Sequence, residues 1–113
     1  MSYSYVLYIG DSHEEDMNDL AEHFFSWWEE APADAKLSEL FPEVSAGDLN
    51  TVGDVKKLGT YGLARAFYAV IDHGTPFWNM MRCIPYGLME AIYDKVLNCF
   101  EDDQAVKVLG IHM

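Results

Sequence analysis

Eight carboxylates crowd the stretch from Asp11 to Glu30: Asp11, Glu14, Glu15, Asp16, Asp19, Glu22, Glu29 and Glu30. Neither Lys nor Arg interrupts them. At about 100° per residue, Met17, Leu20, Ala21, Phe24 and Trp28 fall on one side of a helix. Glu15, Asp19, Glu22 and Ser26 fall on the opposite side, with Glu29 and Glu30 flanking that line. The pattern predicts a helix over 13–30 with an apolar underside and an acidic outer face. Ser12 followed by Glu15 reads as a capping box, and the first-turn carboxylates suit the positive end of the helix dipole. A helix that is acidic only for solubility usually sets Lys at i+3 or i+4, because like charges one turn apart cost stability. Here no such cations exist, so the row reads as a recognition surface for a basic partner.

Two aromatics bear on that surface. Trp28 lies within about 20° of the centre of the apolar side and Trp27 about 80° from it. Trp28 is therefore expected in the core. Trp27, or Phe25 on the other flank, is expected at the boundary, where an aromatic ringed by charge can anchor a partner. Phe77–Trp78 with Met80–Met81 forms a second aromatic cluster, of the kind that more often fills a core.

A catalytic signal precedes the acidic row. Residues 6–12, VLYIGDS, run a strand into Gly10-Asp11-Ser12, which resembles the first block of the GDSL (SGNH) hydrolases. That resemblance implies a Ser nucleophile whose backbone N–H helps bind an oxyanion. It covers seven residues. The Gly-x-Asn-Asp and Asp-x-x-His blocks of those enzymes have no counterpart: Asp72 and His73 are adjacent, and His112 has no acid three residues before it. Ser12 is accordingly read as a helix cap, and no catalytic residue is assigned.

Metal and phosphate chemistry find no matching pattern. His13, His23, His73 and His112 form neither an HExxH nor an i, i+4 pair. Glu101-Asp102-Asp103 lacks the glycine and ligand spacing of an EF-hand loop. Gly59 and Gly62 lack the following Lys-Ser/Thr of a phosphate-binding loop. No metal and no cofactor is expected.

The charge balance points the same way as the acidic row. The chain has 113 residues, 19 carboxylates and seven Lys or Arg. Residues 1–54 hold 13 acids and one base, Lys36, whereas residues 55–113 balance at zero. Such a face repels nucleic acid and membrane surfaces and attracts basic proteins. Half of the residues are hydrophobic, which suits a single domain over 1–113 with one core. Neither a signal peptide nor an apolar run long enough for a membrane span is visible, and Cys83 and Cys99 read as free thiols, so a cytoplasmic protein is expected.

Along the chain, YSYVLYI (3–9) and AVKVLGI (105–111) read as strands that pair with each other. Helices are expected at 13–30, at about 33–41 before Pro42, from Thr60 to His73 on Leu63, Ala64, Phe67, Val70 and Ile71, and at 86–101. Residues 42–52 read as a loop, Thr51 with Asp54 as a second capping box, and 75–85 as a short helical turn. The fold expected is α+β, four or five helices on a small sheet of the N- and C-terminal strands, with all-α as the alternative.

The function these features suggest is a non-enzymatic acidic inhibitor of a nucleic-acid-handling protein. Its partner would be a nuclease, a Cas effector or a restriction component, in the manner of a phage-type anti-defence protein, anti-CRISPR or antirestriction. The alternatives are an immunity protein against a nuclease toxin, a GDSL-like hydrolase and a structural oligomer subunit. The expected binding residues are Glu14, Glu15, Asp19, Glu22, Trp27, Glu29, Glu30, Asp34 and Glu39. As a helix, 13–30 spans about 27 Å, over which duplex DNA shows roughly 16 phosphates. Full nucleic-acid mimicry therefore needs Asp34, Glu39, Glu43, Asp48 or a homodimer mate to add charge.

Overall fold

The structure is a computed structural model that describes residues 3–30, 48–59, 67–78 and 86–112. In chain order its elements are β1 (Tyr3–Ile9), α1 (Glu14–Ala21), β2 (Trp27–Glu30), α2 (Val52–Lys56), β3 (Ala69–Asp72), β4 (Thr75–Trp78), α3 (Tyr86–Asn98) and β5 (Val106–His112). The five strands form one mixed sheet in the order β2-β5-β1-β3-β4. β1 and β5 pair antiparallel along their whole length, Tyr3 opposite His112 and Ile9 opposite Val106. β1 also pairs parallel with β3, from Val6 opposite Ala69 to Ile9 opposite Asp72.

Alternation along β1 explains why both sheet faces are covered. Tyr5, Leu7 and Ile9 join Val106 and Val108 in a cluster capped by Val52 and Val55 of α2 and Tyr93 and Leu97 of α3. Val6 and Tyr8 join Leu109, Ile111, Ala69 and Ile71 on the other face, beneath Met17 and Leu20 of α1 and Phe25. A strand with apolar side chains on both faces belongs in the middle of a sheet. The chain places β1 there.

The helix-rich expectation is overturned: the described residues hold a five-stranded sheet and three helices, not four or five helices on a two-stranded sheet, nor an all-α bundle. Three segments account for the difference. The helix expected over 13–30 ends at Ala21, where the N–H groups of both His23 and Phe24 donate to Leu20 O. Residues 27–30 become a strand because β5 needs a hydrogen-bonding partner on its side away from β1. Residues 69–72, expected to be helical, form β3, whose Ala69, Val70 and Ile71 are fully buried beside β1. Residues 75–78 form β4 rather than a helical turn. The hairpin between them turns on His73 and Gly74, both at positive φ (47° and 77°), the backbone signature of a type I′ turn.

The helix expected at 33–41, the loop residues before 48, and residues 60–66 and 79–85 lie outside the described residues. α3 spans 86–98 of the expected 86–101, with Cys99 just past its end, exposed and free rather than on an apolar stripe. α2 begins with the capping box expected at Thr51: its side chain accepts from Asp54 N, and Asp54 accepts in return from Thr51 N.

Candidate functional site

α1 lies over one face of the sheet beside β2. Met17 and Leu20 anchor it, while Glu14, Glu15, Asp19 and the C-cap residue Glu22 point to solvent. The first turn carries Glu14, Glu15 and Asp16, where the helix dipole favours negative charge. The cap is not the expected one. His13 occupies the N-cap position without a side-chain hydrogen bond, and Ser12 Oγ instead bonds Asp11 Oδ1 at 3.4 Å. The chain leaves β1 through Gly10 at φ 131°, a value glycine adopts without strain, which sets Ser12 one residue outside the helix. Among the described residues, no Lys, Arg or His lies within ion-pair distance of Glu14, Glu15, Asp19 or Glu22.

β2 adds a second acidic row. In its register with β5, Trp27 stands opposite His112, Trp28 opposite Ile111, Glu29 opposite Gly110 and Glu30 opposite Leu109. Alternation puts Trp27 and Glu29 on the sheet face of α2 and α3, and Trp28 and Glu30 on the face of α1. Each pair meets a histidine. On the first face the His112 ring stacks on Trp27 at 3.4 Å and 8°, and its Nε2 lies 3.5 Å from Glu29 Oε1. On the second, His13 meets Trp28 edge-on at 5.3 Å, and its Nε2 lies 3.5 Å from Glu30 Oε1. Lys107 Nζ lies 3.9 Å from the same oxygen. Trp28 Nε1 donates to Asn18 Oδ1 at 2.9 Å and ties β2 to α1.

The structure thus gathers Glu14, Glu15, Asp19, Glu22 and Glu30 on the α1 face of the sheet and puts Trp27 and Glu29 on the other face of the same edge strand, while Asp34 and Glu39 lie outside the described residues. Trp27 is 44 % exposed, and Trp28 is half-buried against the core. The neighbouring phenylalanines exchange the places expected of them. Phe24, expected on the apolar side, is 51 % exposed, and Phe25 is 6 % exposed. Once α1 ends at Ala21, the helical period no longer governs which side chain turns inward. Histidine spacing, read only against metal motifs, does not reveal His13 and His112 as partners of this face. The alternation Trp-Trp-Glu-Glu, taken as a strand, is the signal that could have found them.

A second polar group sits at the carboxyl ends of the parallel pair β1 and β3. The Tyr8 hydroxyl donates to Asp16 Oδ2 and also lies 3.2 Å from Ser12 O. Burial, the Asp16 hydrogen bond and the negative charges of Asp16, Asp72 and Asp11 hold the Tyr8 phenol well above its ordinary range. Asp72 Oδ1 is shielded from solvent and lies 3.5 Å from His73 Nε2. Beside this group an open depression of about 300 Å³ is lined by Asp11, Ser12, His13, Glu14 and Glu15. Among the described residues no imidazole reaches Ser12 Oγ, and no three His, Cys, Asp or Glu side chains are grouped to hold a metal ion. Nor is any helix among them long and apolar enough to cross a membrane. Compared with protein families, curated proteins and solved structures, the chain matches none.

Proposed function

We propose that this chain is a non-enzymatic inhibitor that docks the acidic side formed by α1 and β2 onto the basic surface of a nucleic-acid-handling protein. The target class is a nuclease, a Cas effector or a restriction component, as for a phage-type anti-defence protein. One observation carries the reading: four solvent-facing carboxylates on α1 and its C-cap, with no cation of the described residues in reach, continued on the same face by Glu30, while Glu29 and the exposed Trp27 line the other face of the β2 edge. Unpaired like charges in one row raise the free energy of the isolated protein and fall silent against a basic surface.

Charge density argues for steric blocking over replacement of DNA phosphate by carboxylate, one for one. α1 rises about 12 Å over its eight residues. Duplex DNA presents about seven phosphates over that length, against four exposed carboxylates on α1 and its C-cap. The acidic side then acts by steering and register, and shape excludes the nucleic acid.

The test is the triple reversal Glu15→Lys, Asp19→Lys and Glu22→Lys, titrated calorimetrically against a panel of Cas effectors, restriction endonucleases and nuclease toxins. The wild type binds one class and competes with its nucleic acid. The reversed protein keeps its circular dichroism and loses binding, and association slows steeply with salt as the Debye length shrinks from about 10 Å at 0.1 M to ~3 Å at 1 M. No binding across the panel, or equal affinity after reversal, sinks the proposal.

A further inference from the structure

We infer that the outer edge of β2 takes up an extended, dibasic segment of the partner as a sixth strand of the sheet. The inference rests on the proposed binding of a basic protein and specifies how that protein is gripped. β2 is one of the two edge strands, and its only strand neighbour among the described residues is β5. An edge strand keeps a row of backbone N–H and C=O groups facing outward, a template for another strand. The opposite edge, β4, carries Pro76, which removes a donor; β2 carries no proline.

The side chains of β2 select the occupant. Glu29 and Glu30 are exposed and point to opposite faces, so an added strand meets a carboxylate on each face at consecutive positions. Consecutive Lys or Arg residues answer both. On the first face Trp27 is stacked on His112 by one side of its ring, and its exposed remainder beside Glu29 is aromatic surface on which a guanidinium or ammonium stacks. On the second, the acidic outer face of α1 continues the field past Glu30. A second copy of this chain is disfavoured by the same groups, because β2 against β2 brings its Glu29 and Glu30 onto their own likenesses. Four residues of β2 match about 14 Å of extended peptide, two residues to each face.

The probe is an N-acetylated, C-amidated hexapeptide, Thr-Val-Arg-Lys-Val-Thr, together with two versions methylated on alternate backbone nitrogens. An added strand turns only alternate N–H groups toward β2. Strand addition therefore predicts that one methylated version loses about tenfold in affinity while the other binds as the parent does. Amide exchange in residues 27–30 should slow when the parent peptide binds, and Glu29→Gln with Glu30→Gln should weaken it without altering the fold. If both methylated versions bind like the parent, the contact is charge alone and the inference is overturned, while the reading as an inhibitor still stands on its own titration. The inference falls equally if the peptide fails to bind although the panel finds a target. Slowed exchange at 27–30 that tracks self-association in sedimentation, with no peptide needed, also overturns it in favour of a β2–β2 dimer.

Discussion

Phe24 and Phe25 offer the sharpest test of how the acidic row is arranged. Phe25 packs into the cluster of Met17, Leu20, Tyr8 and Ile111 and is 6 % exposed; Phe24, its neighbour, is 51 % exposed. Truncating a buried phenylalanine to alanine costs about 3–5 kcal/mol, the sum of lost transfer energy and the cavity left behind. Domains of this kind have about 5–15 kcal/mol in all, so Phe25→Ala removes at least about a fifth of the total. At roughly 4 °C per kcal/mol for a chain of about this size, its melting temperature falls by about 12–20 °C. Phe24→Ala gives up about half of that burial and costs about half as much, roughly 1.5–2.5 kcal/mol. Urea titrations followed by tryptophan fluorescence and by circular dichroism give both values, with the slope unchanged between variants. A Phe24→Ala protein as unstable as Phe25→Ala refutes the reasoning. It would mean that α1 runs on past Ala21, and the strand pairing of Trp27–Glu30 would fall with it.

Thr51→Ala breaks the capping box of α2 and costs about 1 kcal/mol in the same titration. Asp54 is held below the usual carboxylate range, first by the Asn50 N–H and then by the Thr51 hydroxyl and N–H and by Lys57. Its share of stability is present above the unfolded value of about 3.9 and is lost as pH falls through the lower folded value; Asp54→Asn should flatten the acid limb of stability against pH. Tyr8 and Tyr93 are both raised, chiefly by burial, so their share is full below the unfolded phenol value of about 10 and is lost as pH rises beyond it toward the folded values. Tyr8→Phe, followed by denaturation at pH 9 and 11, should remove part of that alkaline loss. Trp27→Ala should cost little folding stability, yet weaken binding to the target found by the panel by about 1–2 kcal/mol in a titration.

How far the fold could be read from the sequence depended on whether local pattern and tertiary pairing agreed. In residues 3–9 and 105–111, aromatic and β-branched residues stated a strand, and the structure pairs Tyr3–Ile9 with Val106–His112. Thr51 and Asp54 stated a cap by chemistry that needs only four residues. β2 was hidden because Met17, Leu20, Phe24 and Trp28 continue a helical period by coincidence, and Glu is depleted in strands. Only the pairing of Glu30 with Leu109 and of Trp28 with Ile111, some 80 residues away, makes 27–30 a strand. β3 was hidden because Phe67, Val70 and Ile71 fit both periods. The run Val70–Ile71 ahead of a His-Gly turn was the signal that should have decided for a hairpin. The acidic character of the candidate site was legible residue by residue. Its division between a helix and a strand edge was not, because that depends on a partner at the other end of the chain.

The position of β5 has a consequence for biosynthesis. It is the last strand of the described chain to leave the ribosome, yet it lies inside the sheet, between β1 and β2. Roughly 75 residues separate Glu30 from Val106, about 4–15 s of translation at the usual 5–20 residues per second. Through that interval β1 can pair with β3, but β2 has no strand to join among the described residues, and its edge does not yet exist. A nascent or proteolytically shortened chain lacking β5 would carry the full acidic row without the geometry that presents it. The β2 edge would then exist only once β5 has been made, and a strand-forming peptide supplied in place of β5 could restore it without touching a single carboxylate.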